Sequence, residues 1–216
     1  LERRDPLQEE ERSDAIHYAH CLAAIPAGWT REQKERVLSW YESTEEWKGG
    51  KNFALYMEDA LRRTIDASCE MDRDQWLRLS REAKEKEVSP KVHERAQAAL
   101  DAAAMEGPLH VLEQATRFPR AASMVILDRL SSPLQGAAGS RYVRALHTLL
   151  AQASPPPPIP HKTLIGALGA AQHPDAEIVL LRLYEEGGKD RDDATIALAG
   201  SFRNVRHREI FLVALS

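Results

Sequence analysis

His17, His20 and Cys21 stand at i, i+3 and i+4 of a stretch with helical periodicity, and imidazole nitrogen and thiolate sulfur are the donors that zinc and the softer transition metals prefer. At that spacing His17 and Cys21 reach one ion, with His20 beside them. A closed site needs further ligands from another element, and no second His/Cys cluster with suitable spacing occurs along the chain. The competing reading of the trio is a structural histidine or a partner contact. His93, His110, His147, His161, His173 and His207 are scattered singly and read as turn or surface residues. Cys21 and Cys69 are the only cysteines. A disulfide between them would close a long loop and stabilise by roughly 3–4 kcal/mol in the chain-entropy model, provided the helices that carry them are neighbours. Free buried thiols are the default.

Trp29, Trp40 and Trp47 bring all but one of the four tryptophans close together, followed by Gly49-Gly50 and Phe53. Large aromatics at helical spacing are most often core, with a ligand pocket or an interface anchor as the functional alternatives. Gly49-Gly50 lacks the Gly-x-x-x-x-Gly-Lys-Ser/Thr frame of a phosphate loop and reads as a helix break. The 33 acidic residues offer many carboxylate pairs, but none is singled out by an apolar setting. Glu9-Glu10-Glu11 and Asp190 to Asp193 look like solvated helix starts, where acids favour the helix dipole. No serine carries a nucleophile-elbow signature. The chain alone reads as non-catalytic.

The elements that would position these residues are helices throughout. Apolar spacing follows the 3.6-residue period nearly everywhere, so the fold class is all-α. A first helix spans about Gln8 to Ile25, with Ala15, Tyr18, Ala19, Leu22, Ala23 and Ile25 on its apolar arc and the His/Cys trio on the opposite side. Thr30 and Gln33 form a capping box for a second helix, Arg31 to about Trp47, which buries Val37, Leu38 and Tyr41. A third carries Phe53, Met57, Leu61 and Ile65 in register. Asp72 caps a fourth with Trp76, Leu77 and Leu79, and Ser89-Pro90 starts a fifth that closes at Gly107.

Beyond that point the pattern changes. Leu112 to Leu130, Leu168 to Tyr184 and Leu198 to Leu215 each read as an apolar helix end, a turn, and a helix with consecutive large apolar residues, Met124-Val125-Ile126-Leu127 and Ile178-Val179-Leu180-Leu181 being the clearest runs. Pro119 and Pro174 sit in matching turns. This spacing resembles HEAT-type helical repeats, which implies an α-solenoid made of stacked hairpins. The expected organisation is a helical region over 1–105 with the His/Trp-rich motif, and HEAT-like repeats over 106–216 that are truncated or continue further. Ser154 to Pro160 interrupts the array with a stiff polyproline stretch that fixes a spacing between helices. An array ending on Ile210, Phe211 and Leu212 without a polar cap leaves apolar area for more chain or a partner, so these three join Trp29, Trp40, Trp47 and Phe53 as candidate interface residues.

The first seventy residues carry one further signal. Ile16-His17-Tyr18-Ala19, Gly28-Trp29-Thr30, Gln33, Trp40-Tyr41 and Gly49-Gly50 with Phe53 resemble a helical segment of large multidomain secreted proteins of planctomycetes and related bacteria. In that family a propeller-like dehydrogenase region, HEAT repeats and a c-type haem domain share one polypeptide. The resemblance implies a periplasmic or secreted redox assembly as the setting. The chain contains no Cys-x-x-Cys-His, so it attaches no c-type haem itself, and any haem belongs to a partner or a parent polypeptide.

Composition agrees with a packed helical protein and excludes several classes. With 216 residues, 43% of them hydrophobic, the chain can bury a substantial core. A net charge of −4 with acids and bases interspersed argues against a nucleic-acid surface. No apolar run approaches the roughly 18 residues of a membrane span. The function expected is a non-catalytic scaffold or docking region within a larger, secreted redox complex, contacting proteins or further domains of its own polypeptide. The alternatives are a haem- or metal-binding oxidoreductase component using His17, His20 and Cys21, and a cytosolic HEAT-type adaptor.

Overall fold

A computed structural model describes residues 17–43, 51–85, 89–129, 136–152, 159–201 and Leu212, with the backbone alone for 51–54 and 201. Trp47, Ile210, Phe211 and the prolines from 155 to 158 lie outside the described residues, as does the side chain of Phe53. The described chain is all-α. Its helices are α1 (17–23), α2 (Arg31–Ser43), α3 (Lys51–Asp66), α4 (Arg73–Glu82), α5 (Pro90–Glu113), α6 (Pro119–Arg129), α7 (Gly136–Leu150), α8 (His161–Ala171), α9 (Pro174–Glu186) and α10 (Arg191–Ser201). The contacts divide the chain into two compact units, Leu1–Pro108 and Leu109–Ser216, so the division falls inside α5.

The helix starts follow the local chemistry. Thr30 and Gln33 exchange hydrogen bonds as a capping box, the Thr30 N–H donating to Gln33 Oε1 at 2.8 Å and the Gln33 N–H to Thr30 Oγ1 at 3.2 Å. Asp72 Oδ1 accepts from the Gln75 N–H at 2.7 Å and caps α4. Proline opens α5, α6 and α9, the position where its missing N–H has no intrahelical partner to lose.

In the first unit, Ala19 of α1 packs with Met57 and Ala60 of α3, and Trp40 of α2 covers them. Leu38, Tyr41, Leu61 and Ile65 are buried, as the helical register predicts. A second cluster joins Met71 and Leu79 to Ala96 and Ala103, with Trp76 against it. The α1–α2 loop is stitched to the α3–α4 turn by backbone hydrogen bonds: Ser68 donates to Pro26 O, Trp29 to Ser68 O and Gly28 to Met71 O, at 2.9, 3.3 and 2.9 Å. Gly28 sits at φ +83°, a backbone region that an L side chain rarely adopts.

The sequence closes the fifth helix at Gly107, but α5 runs through Gly107 and Pro108 to Glu113. An interior proline costs about 3 kcal/mol. The turn beyond it buries Leu109, Val111 and Leu112 almost completely, and full burial of each such side chain contributes about 1.5–3 kcal/mol, so burial wins.

In the second unit α8 packs against α6, α7, α9 and α10, and α10 also packs against α9. Leu164, Ile165 and Leu168 of α8 have no solvent exposure, nor have Ile126, Leu146, Leu180 and Leu198. Of the two clearest apolar runs, the one on α6 buries Met124, Val125 and Ile126 and exposes Leu127, and the one on α9 buries Leu180 but leaves Ile178 59% exposed.

Candidate functional site

The apolar arc expected for the first helix does not all reach the core. Ala19 is buried, yet Tyr18 is 71% and Ile25 43% exposed, because both point into a cleft between α1 and α2 rather than toward α3. The cleft has a volume of about 620 Å³. One side is lined by Tyr18, Ala19, Leu22 and Ile25, the other by Gln33, Arg36, Val37 and Trp40, with Gly28 and Trp29 in the connecting loop. On each side the residues recur at steps of three or four, so each helix presents a ridge along the groove.

The groove is held from behind. Leu22, Val37 and Trp40 also face Met57, Ala60, Leu61 and Thr64 of α3, so the same side chains form the groove floor and the core roof. Trp29 is buried, and its indole Nε1 donates to Ile25 O at 2.8 Å, which fixes the ring and satisfies its polar atom. Val37, expected in the core, is half-buried for the same reason as Tyr18: it lines the groove.

One turn from the groove lies a feature that the periodicity did not reveal. Lys34, on α2, is 5% exposed. Its Nζ donates to Ile65 O at 2.7 Å and to Ala67 O, two carbonyls at the C-terminal end of α3. A cation there satisfies orphan carbonyls and meets the negative end of the helix dipole. Burial pushes the Lys34 pKa below the usual lysine value, with the nearby Cys69 and Asp66 opposing that shift. Gly107 of α5 completes the junction: a Cβ there would fall 1.7 Å from Ile65 O and 2.9 Å from Lys34 Nζ. Only glycine lets the α5 backbone come this close. On a helical wheel Lys34 lies beside Leu38 and Tyr41, but a lysine at that register is ordinarily assigned to solvent, so sequence carries only a weak signal for it.

The residues proposed as metal ligands are not gathered into a site. His17 and Cys21 are exposed on α1, and His20 packs edge-on against Tyr56 of α3, ring centroids 5.7 Å apart. Among the described residues no group of three or more His, Cys, Asp or Glu side chains is arranged to hold a metal ion. Cys21 and Cys69 are both free thiols, Cys21 exposed and Cys69 half-buried in the α3–α4 turn. Burial pushes the Cys69 pKa up, with Lys34 and Arg31 pulling the other way. Arg31 is held by Glu70 at 3.0 Å, an exposed pair worth little by itself.

Two histidines read as isolated have partners in the second unit. His161 Nδ1 lies 2.9 Å from Asp190 Oδ2, tying the start of α8 to the turn before α10. His173 is buried and its Nδ1 accepts from the Asp175 N–H at 3.2 Å, capping α9. The His173-Pro174 pair reads as a helix start in the same way as Ser89-Pro90, so that role was legible. The His161–Asp190 pair joins residues far apart in the chain and had no local signal.

A second groove, of about 410 Å³, lies between the end of α5 and α7. It is more polar, lined by Glu113, Thr116, Arg141, Arg144, Thr148 and Gln152 above Leu112, Ala115, Ala145 and Leu149. Arg141 is engaged there by Glu113 at 3.0 Å. Leu212, the one described member of the C-terminal interface trio, is 67% exposed. Among the described residues no helix is long and apolar enough to cross a membrane. No protein-family model, curated protein or solved structure significantly matches the chain.

Proposed function

We propose that this chain is a helical docking module, and that the α1–α2 groove of its first unit receives an apolar helical segment of a partner. The observation that carries this reading is the exposure of Tyr18 and Ile25 beside Leu22, Trp29, Val37 and Trp40 in one preformed groove. Apolar side chains gathered in a concave site and left open to water gain stability when a complementary face covers them. Helix-in-groove recognition works through side chains at i, i+3/i+4 and i+7 of the incoming helix, and the two ridges here have the matching spacing. Binding would then be shape-complementary, with the aromatic residues as anchors.

The resemblance of the first seventy residues to a segment of secreted haem and dehydrogenase polypeptides supports a periplasmic or secreted redox assembly as the place of docking. The HEAT-like spacing of the second half supports a stacked helical scaffold there. In this reading haem and catalysis belong to the partner or to further domains.

The test is calorimetric titration with a tryptophan-free helical peptide of about 15 residues bearing leucines at i, i+4 and i+7. The wild-type chain should bind it, and the double variant Tyr18→Asp/Ile25→Glu should bind at least tenfold more weakly with its unfolding midpoint unchanged. Equal binding by the two proteins refutes the docking role of the groove.

A further inference from the structure

The polar groups in the groove narrow the kind of helix it can receive. Among the described residues Arg36 is the only charged side chain that lines it, and it is exposed. Among the described residues Gln33 is the only side-chain amide there; its Oε1 is already held by the Thr30 N–H at 2.8 Å, and its side chain is exposed with Nε2 left as the donor. The Trp29 indole N–H and the Gly28 backbone N–H are consumed internally, by Ile25 O and Met71 O. Arg36 and Gln33 therefore both offer N–H groups along α2, one of them cationic, facing the described residues Tyr18, Ala19 and Leu22 of α1 and Ile25 just after it. Such an edge discriminates by charge: a carboxylate meets two donors, whereas an ammonium meets a like charge.

We infer that the occupant is an amphipathic helix of a partner protein whose apolar stripe is flanked by Asp or Glu on the side that faces Arg36 and Gln33. This rests on the docking reading above. A helix is favoured over a small amphiphilic acid because the groove is an open trough between two ridges of i, i+3/i+4 spacing, the surface that a third helix packs against. The stripe supplies most of the affinity, and the acid sets partner choice and the orientation of the incoming helix.

Two peptides and one small acid test this. The first peptide is the leucine-striped helix with glutamates flanking the stripe on one side, the second is its twin with lysines at those positions, and the small acid is laurate. At low ionic strength the glutamate peptide should bind the full chain about threefold to fivefold more tightly than its twin, the preference should shrink with added salt, and Arg36→Gln should abolish it by weakening the glutamate peptide and strengthening its twin. Arg36 is exposed, so this variant should fold; its circular dichroism and melting midpoint check that. Equal binding of the twins to the wild type overturns the acidic-partner inference and leaves the docking role standing. Failure of both peptides to bind overturns both readings, and saturable laurate binding in that case assigns the groove to a small amphiphilic acid instead.

Discussion

The two units of this chain solve the packing problem in different ways. The largest fully buried side chains, among them Tyr142, Phe118, Ile126, Leu164, Leu168 and Leu198, all belong to the second unit. Its helices are held by a mainly aliphatic core. The first unit combines buried side chains such as Leu38, Tyr41, Leu61 and Ile65 with the hydrogen-bonded Lys34 junction and a seam of backbone bonds between two loops. Large aromatic and aliphatic groups that would have filled a core instead line an open groove. On the proposed docking role, stability falls chiefly to the second unit and recognition to the first, because apolar area left exposed is area available to a partner.

Substitutions that separate these two roles can break that comparison. The largest effect is expected at Leu168, which has no exposure. Leu168→Ala should destabilise by about 2–5 kcal/mol in denaturant unfolding and leave peptide binding unchanged at temperatures where the chain stays folded. A loss of binding affinity in the folded variant would join the two roles that the comparison separates.

Gly107→Ala comes next. Its Cβ would meet the Ile65 backbone, and overpacking of this kind costs about 1–3 kcal/mol or more, which outweighs the roughly 1 kcal/mol that alanine gains over glycine in a helix. A stabilised variant would show that α5 does not press on the end of α3.

Lys34→Met keeps much of the side-chain volume and removes the donor. Two buried carbonyls, Ile65 O and Ala67 O, lose their shared partner, at a cost of about 1–3 kcal/mol. The pH dependence has a definite sign. Burial lowers the Lys34 pKa in the folded state, so over the interval from that value up to the unfolded value of about 10.4 the unfolded chain binds more protons, and stability rises with pH. Below that interval the desolvation penalty is fully present. The stability difference between wild type and Lys34→Met should therefore shift in favour of the wild type as pH rises through it, and a flat difference would contradict the buried-cation account.

The smallest stability effect is expected at Tyr18. Because this residue is 71% exposed, Tyr18→Ala should change unfolding free energy by no more than about 0.5 kcal/mol while weakening the leucine-striped peptide. A large loss of stability would mean that Tyr18 is a core residue after all, as its place on the apolar arc first implied.

That arc shows what the sequence made legible and what it did not. Capping chemistry is local, so the Thr30/Gln33 box, the Asp72 cap and the Pro90 start were readable residue by residue. Helical register was equally readable for Met57, Leu61 and Ile65. Periodicity tells which residues share a helix face, but not which neighbour covers that face. Tyr18, Ile25 and Val37 therefore looked like core, and their meeting in a groove depends on how α1 and α2 splay from the Gly28–Trp29 loop. Lys34 went unnoticed and Gly107 was taken for a helix end because their partners are backbone carbonyls some thirty residues or more away, which no side-chain pattern records. The tryptophan trio split: Trp29 and Trp40 line the groove, and Trp47 lies outside the described residues.

The most direct test of the groove as the docking face is a map of backbone and indole amide chemical shifts in the isotope-labelled chain as the glutamate-flanked peptide is added. The account predicts the largest shifts at Tyr18, Ile25, Val37 and the Trp29 and Trp40 indole N–H groups, with the second unit unmoved. Shifts centred on the α5–α7 groove or spread over the second unit, or none at saturating peptide, would contradict it.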